Sequence, residues 1–360
     1  MYLFYGEIKL TQLTGIGRTL AVLFAAVVLA LAALGPISGQ TPADRAYFPA
    51  NPEIKLGKKV VLVSGDEEYR TEEYFTALAK ILSRRHGFDC VALYAVDPKT
   101  GKIDPDVNTN IPGLDELRDA DCLILSTRRR VLPDAQMKEF DDYLRRGKPV
   151  LGTRTATHAF SPDALSAYFY YADGYDGAQK PDWKDGFGRK ILGENWVAHH
   201  GNHAHEATGT LTAPGAENDP ILRGVGRIFV PSDVYRVRLP MLDTCRPLLL
   251  GEVLDGMTAD SLPVQNEKND PVMPVAWRHT YRIDDSAEGD AVVTTLGSAV
   301  DFSDENFRRF LVNAVYSLCG LDDRIADQSC VDFCGPYYPT MFGFGSFHPA
   351  YHVQPKELEL

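Results

Sequence analysis

The chain has 360 residues, of which 44% are hydrophobic and 24% are charged, an ordinary balance for a soluble globular protein of one or two domains. The formal net charge is −12 at pH 7. Because nucleic acids and anionic membranes bind basic surfaces, this charge argues against both as partners.

The N-terminus has the pattern of a secretory signal. Lys9 and Arg18 precede an apolar run over residues 20–34, and small residues follow it before Gln40. The run is shorter than the roughly 20 residues that a membrane-spanning helix needs. We therefore expect residues 1–40 to be a signal peptide and the mature protein to be exported, to the periplasm or the cell exterior, without stable membrane insertion. An uncleaved signal anchor is the alternative.

The next 15 residues, 41–55, show no periodicity and are predicted to be a linker. Apolar runs that suit buried strands then alternate with helical patterns. Strands are predicted at residues 59–63, 88–96, 122–125 and 149–151, and helices at residues 72–86 and 133–146. This alternation predicts an α/β fold with a doubly wound, mostly parallel sheet and helices on both faces.

After residue 160 the pattern changes to short β-like runs. They lie at residues 209–213, 228–230, 248–253, 275–277 and 291–296, and a last amphipathic helix covers residues 304–319. We expect one domain over residues 56–320. Residues 321–360 form a tail with many aromatic side chains, which we predict to dock on the domain.

A first group of candidate site residues follows the strand at 149–151. Ligands of open α/β sheets bind at the carboxyl ends of strands, so Arg154, Thr157 and His158 are expected in that crevice. His158 is the candidate general acid or base, and Arg154 and Thr157 are candidate substrate contacts. The alternative is a turn whose polar side chains satisfy its own backbone.

Two further polar segments should reach the same crevice. Glu68 and Arg70 follow the first buried strand as candidate substrate contacts, although acidic residues are also common at a helix N-terminus. Asp233 and Tyr235 follow another predicted strand. Asp233 is a candidate for orienting a catalytic histidine, and Tyr235 for binding substrate. The alternative for Asp233 is an ordinary turn aspartate.

Four of the nine histidines lie between residues 199 and 205. His200 and His203 are the first candidates for ligands of a divalent metal such as Zn²⁺, and His200 is a second acid/base candidate. Trp196, just before the loop, is a candidate substrate contact. Because no helical His-Glu-x-x-His spacing is present, we weigh structural or sugar-contacting histidines ahead of metal ligation. Cys330 and Cys334 are close enough in sequence to pair, but no Cys-x-x-Cys spacing predicts a thiolate metal site.

The order of these motifs is more specific than any one of them. It runs through Lys148-Pro-Val-Leu-Gly-Thr-Arg-Thr-Ala-Thr-His158, His199-His200-Gly-Asn-His203, Pro231-Ser-Asp-Val-Tyr235 and Thr294-Thr-Leu-Gly297. This order resembles the ThuA-like (trehalose-utilisation) family in its exported bacterial form, over most of residues 56–320. The resemblance implies the flavodoxin-like fold of class I glutamine amidotransferases.

The resemblance also bears on the site. His158 matches a family histidine near the pocket, and Asp233 and Tyr235 match an acidic-x-Tyr motif. Asp219 stands where a histidine is often seen, so no role is carried over for it. The amidotransferases use a cysteine nucleophile after a central strand, and residues 155–158 contain none. A glutaminase mechanism is therefore not expected.

The family implies an enzyme of carbohydrate metabolism, a hydrolase or lyase acting on trehalose or on oxidised (3-keto) glycosides. Its partner would be a small-molecule carbohydrate, and a homo-oligomer is left open. The alternatives are a non-catalytic carbohydrate-binding protein and a structural or assembly module that uses the aromatic tail.

Overall fold

A computed structural model describes residues 42–345 and 347–359. The predicted signal peptide lies outside these residues. Within them, no helix combines the length and the apolar character that crossing a bilayer requires.

One large sheet forms the centre of the described chain. Its strands are β1 (Ala46–Phe48), β2 (Lys59–Gly65), β3 (Asp89–Tyr94), β4 (Cys122–Thr127), β5 (Val150–Thr153), β7 (Thr208–Thr212), β8 (Phe229–Val230), β10 (Cys245–Val253), β11 (Met273–Tyr281) and β12 (Gly289–Thr294). Two short strands, β6 (Ala198–His199) and β9 (Tyr235–Arg236), pair separately. The helices are α1 (Thr71–His86), α2 (Asp134–Arg145), α3 (Gly186–Ile191) and α4 (Glu305–Leu318).

Five strands in the middle of the sheet are parallel, in the order β3–β2–β4–β5–β12. Counted along the chain, this is the 2-1-3-4-5 order of flavodoxin-like folds. Residues 60–63 and 122–125 are fully buried, which explains why these strands are continuous apolar runs without alternation. The predicted α/β, flavodoxin-like fold is confirmed.

Antiparallel strands extend this parallel core on both sides. β1 pairs with β3 at one edge, and β11, β10, β7 and β8 follow β12 at the other. The sequence pattern did not predict β1, which lies in the expected linker, because three residues are too few to show a period. Its ends, Ala46 and Phe48, are nonetheless buried in the core.

Each long helix has the signals that its sequence predicts. Phe75, Leu78 and Leu82 form the buried face of α1. Gly87 ends the helix in a left-handed conformation (φ 76°), and its N–H donates to the carbonyls of the last turn. Asp304 begins α4 by accepting the N–H of Phe307 at 2.8 Å. The short α3 was not predicted, because two glycines in six residues hide its pattern.

The described part of the tail makes specific contacts with the domain. The Tyr337 hydroxyl donates to the Ala299 carbonyl at 2.7 Å, and the Phe333 ring packs edge to face against Phe302 of the domain, with ring centroids 5.8 Å apart. Cys330 and Cys334 are free thiols.

Glu72, on α1, is an ionisable residue buried in this core, and its effect on the stability of the protein can be measured. Its side chain is buried, and neither carboxyl oxygen has a hydrogen-bond partner among the described residues. Burial raises the pKa of Glu72 from 4.5 to about 8, so the folded protein keeps this proton at neutral pH whereas the unfolded chain loses it. Glu72 therefore lowers stability progressively as the pH rises from 4.5 to about 8.

We predict that Glu72→Gln stabilises the protein by roughly 3–5 kcal/mol at pH 8 and by far less at pH 5. Urea denaturation at both pH values measures the difference. The exposed Glu53→Gln serves as the matched control and should follow the wild type. A Glu72→Gln gain that is equal at both pH values would contradict the buried, protonated carboxyl.

Candidate functional site

The loops that follow β2, β4 and β5 meet at the carboxyl edge of the parallel strands, where the strand order reverses. A cavity of about 350 Å³ lies there, within the size range of small-molecule sites. It is lined by Glu68, Arg128, Arg129, His158, Trp196, His199, His203, Tyr235, Gly343 and Phe344. Five of these are predicted site residues that the fold brings together: Glu68, His158, Trp196, His203 and Tyr235.

Asp233 lies beneath this cavity and is fully buried. One carboxylate oxygen accepts Arg154 Nη2 at 2.7 Å and His203 Nδ1 at 3.1 Å, and the other accepts His199 Nδ1 at 2.8 Å. Burial acts to raise the pKa of Asp233, but the charge of Arg154 and the hydrogen bonds from both histidines hold it below its ordinary value. Because an ionised Asp233 only accepts, both rings carry a proton on Nδ1, and Nε2 is the nitrogen of each ring that is not bound to Asp233.

Arg154 was predicted to contact substrate, and the structure corrects this. Its guanidinium is fully buried and also donates to the carbonyls of Asp233 (2.6 Å) and Thr295 (2.8 Å). The Tyr235 and Tyr69 rings pack on it, 3.7 and 4.5 Å from the guanidinium carbon. Arg154 therefore neutralises and positions Asp233 without reaching the cavity.

His158 ends the tight turn Arg154–His158, whose first residue has a left-handed backbone (φ 42°) that is uncommon outside glycine. The Thr157 hydroxyl donates its proton to the Arg154 carbonyl at 3.1 Å. It can therefore only accept a hydrogen bond from His158 Nδ1, which lies 3.2 Å away. This leaves Nε2 of His158 as its basic nitrogen. Burial, reinforced by nearby arginines, lowers the pKa of His158 well below 6.5, so the ring is neutral. Thr157 thus orients His158 and does not line the cavity, contrary to its predicted role.

Two other predicted site residues also lie outside the cavity. Arg70 is buried and donates to the carbonyls of Glu67 (3.0 Å) and Gly343, so it holds the tail and is not placed to bind a substrate. His200 Nε2 donates to the Lys268 carbonyl at 2.7 Å. Successive residues of an extended chain point to opposite sides, so His199 faces Asp233 and His200 faces away. The predicted catalytic and metal-binding roles of His200 do not fit this position.

Several cavity residues were not among the predicted site residues. Arg128 and Arg129 directly follow β4, and the strand-end rule used for His158 would have found them. Arg128 Nη1 pairs with Glu67 at 2.5 Å, and Arg129 Nε pairs with Asp173 at 3.2 Å. His199 belongs to the predicted histidine-rich loop but was not among the first candidates for a ligand, because β6 is too short to show alternation.

A group of metal-binding character lies at the base of the cavity. His199, His203 and Asp233 each offer a ligand atom, and these atoms lie within 4.8 Å of one another. Glu68 adds a carboxylate whose Oε1 lies 3.5 Å from His203 Nε2. Burial, followed by the charge of Asp66, raises the pKa of Glu68.

The buried pair of Arg154 and Asp233 should dominate the stability of the site. Arg154→Met would leave an uncompensated buried carboxylate, which costs about 3–5 kcal/mol. Arg282 pairs with Glu288 at 3.3 Å, but both side chains are more than half exposed, so Arg282→Met should cost under about 1 kcal/mol. Urea denaturation at pH 7 measures both variants. Equal losses would show that Asp233 is not a buried anion.

Comparison with known proteins assigns the chain to a family. No curated protein matches the chain. It is similar in structure to a ThuA-like protein of Bacteroides uniformis (15% identity, 75% of this chain and 95% of that one, TM-score 0.46). It is also similar to one of Parabacteroides merdae (16% identity, 73% and 90%, TM-score 0.45). Residues 59–316, well over half of the chain, match the ThuA family, described as trehalose utilisation. The chain therefore belongs to the ThuA (trehalose utilisation) family.

Proposed function

We propose that this protein is an exported enzyme of carbohydrate metabolism that acts on trehalose or a 3-keto glycoside and uses His158 as its base. The observation that carries this proposal is the state of His158. It is a neutral imidazole on the cavity wall, with Nδ1 held by Thr157 and Nε2 without a partner among the described residues. A general base requires such a free nitrogen facing the substrate.

The cavity lining favours a sugar. Trp196, Tyr235 and Phe344 contribute aromatic surface, while Arg129 and Glu68 contribute polar groups that can bind hydroxyl or keto oxygens. The family's description as trehalose utilisation supports the same class of ligand.

The chemistry is that of a hydrolase or a lyase. His158 Nε2 would take a proton, either from a water whose oxygen attacks the glycosidic carbon or from the carbon beside a keto group. The glycosidic C–O bond would then break, and the departing oxygen would take that proton back from the His158 imidazolium, which restores the neutral ring. Burial, followed by the positive charge of Arg128 and Arg129, lowers the pKa of His158 and keeps its Nε2 unprotonated. No cysteine lines the cavity, so the mechanism does not use the nucleophile of the amidotransferases.

We further propose that His199, His203 and Glu68 hold a divalent metal such as Zn²⁺. Asp233 orients both imidazoles through Nδ1 and leaves both Nε2 lone pairs free for a cation, as carboxylates commonly do behind metal-binding histidines. The 3.5 Å between Glu68 Oε1 and His203 Nε2 fits the roughly 3.3 Å that separates two ligands of a tetrahedral zinc ion. When bound, the metal would polarise a substrate oxygen or lower the pKa of a water molecule.

His158→Ala should lower the turnover of 3-keto-trehalose or trehalose by about 10²–10⁴-fold, because it removes the base, and should leave binding nearly unchanged. Turnover is followed by sugar release and binding by calorimetry. His205→Ala is the control, since His205 belongs to the same histidine-rich loop but is exposed and does not line the cavity. Binding without turnover by the wild type would instead indicate a carbohydrate-binding protein. An assembly module would bind neither sugar.

The metal content of the purified protein tests the second proposal without reference to activity. After incubation with Zn²⁺ and removal of the excess, the wild type should retain about one ion per chain. The double variant His199→Ala/His203→Ala should retain none. His200→Ala should retain the ion, because the His200 ring lies on the other side of the loop. Equal retention by all three proteins would contradict this ligand set.

A further inference from the structure

Part of the C-terminal tail closes one side of the cavity, although it lies beyond residues 59–316 that match the family. Three hydrogen bonds fix residues 340–345. The Thr340 N–H donates to Glu73 Oε2 at 2.8 Å, and the Gly343 N–H donates to the Glu68 carbonyl at 2.8 Å. Arg70 donates to the Gly343 carbonyl. The tail is therefore bound to the loop between β2 and α1 that also supplies Glu68.

Two phenylalanines of this segment have opposite environments. Phe342 is buried, with its ring centroid 5.4 Å from that of Tyr69 and 5.2 Å from that of His203. Phe344 lines the cavity and is 60% exposed. Phe342 thus anchors the segment behind His203, and Phe344 offers free aromatic surface to whatever enters.

Phe344 is paired with a cation. The guanidinium carbon of Arg128 lies 4.9 Å from its ring centroid. Arg128 Nη1 binds Glu67 and its Nε lies 3.2 Å from Glu68, while Nη2 has no partner among the described residues. Trp196 and Arg129 repeat this pairing at 5.6 Å. The cavity therefore has two aromatic surfaces, each with a guanidinium beside it.

We propose that Phe344 is a substrate-contacting residue that determines which glycoside the protein accepts. Its ring would stack on the apolar face of a pyranose, and Arg128 Nη2 would donate to a hydroxyl or keto oxygen of that sugar. This inference rests on the proposed function, because it requires a sugar in this cavity. Since Phe344 lies outside the family match, it would set the selectivity of this chain and not the reaction of the family.

The rest of the tail supports this choice. Tyr338 and Met341 are also exposed apolar residues of the tail, but neither lines the cavity. A surface for another protein would use these residues together with Phe344. Of these three tail residues, Phe344 alone lines the cavity, and Tyr338 is therefore its matched control.

The experiment compares the wild type with Phe344→Ala, Phe344→Trp and Tyr338→Ala. Binding of trehalose and of 3-keto-trehalose is followed by calorimetry, because Phe344→Trp would add a second tryptophan beside Trp196 to the cavity and so confound a fluorescence signal. Phe344→Ala should weaken binding of the preferred sugar by roughly tenfold and raise KM with little change in kcat. Phe344→Trp should restore affinity, and Tyr338→Ala should behave as the wild type.

The possible results separate the role of Phe344 from the proposed function. Unchanged affinity in Phe344→Ala, beside a wild type that binds sugar, would overturn this inference and leave the proposed function standing. Equal losses in Phe344→Ala and Tyr338→Ala, or a loss that Phe344→Trp does not restore, would also overturn it, since the tail would then be merely structural. A wild type that binds neither sugar would overturn the proposed function, and this inference with it.

Discussion

A buried carboxylate without a counter-charge strongly destabilises a folded protein. The site is arranged around the ion pair that compensates the buried carboxylate of Asp233. Arg154, from the turn after β5, supplies the counter-charge, and the aromatic rings of Tyr69 and Tyr235 exclude water around it. The ion pair joins the parallel core to the segment that carries Asp233. The positions of His199 and of His203 follow from it, because both rings bind the same carboxylate.

The parallel core determines where this arrangement lies. The chain segments that follow the neighbouring strands β2 and β4 lead away from each other. A crevice therefore remains between the loops after these two strands. Glu67 spans it by binding Arg128 and Arg130 from the second loop. These charges hold the loops in place and leave the cavity between them with both acidic and basic groups.

The sequence was sufficient for the fold because buried parallel strands are long, continuous apolar runs. Such runs identify β2, β4 and β5, and the helices between them show a clear period. β1, β6 and β9 have two or three residues each, and no pattern fits in that length. Their existence depends on pairing with distant strands, which local sequence does not encode.

For the site, the sequence located the right loops but not the direction of each side chain. Residue type made Arg154 and His200 attractive, yet Arg154 points into the core and His200 points away from Asp233. A shift of one residue along an extended chain exchanges inside for outside, so adjacent histidines cannot be told apart without the register. Phe344 was one of many aromatic residues in a tail that was predicted to dock, but local sequence did not mark it as part of the site. Its place depends on long-range contacts: Arg70 with Gly343, 273 positions apart, and Arg128 with Phe344, 216 positions apart.

The hydrogen bond from the Gly343 N–H to the Glu68 carbonyl affects the order in which the core and the cavity are completed during synthesis. The tail is synthesised after the whole sheet and α4, so a growing chain can complete its flavodoxin-like core while one side of the cavity is still missing. A complete cavity would then form later than a stable fold. A protease that removed the tail from the folded protein would leave a folded core whose cavity lacks one side.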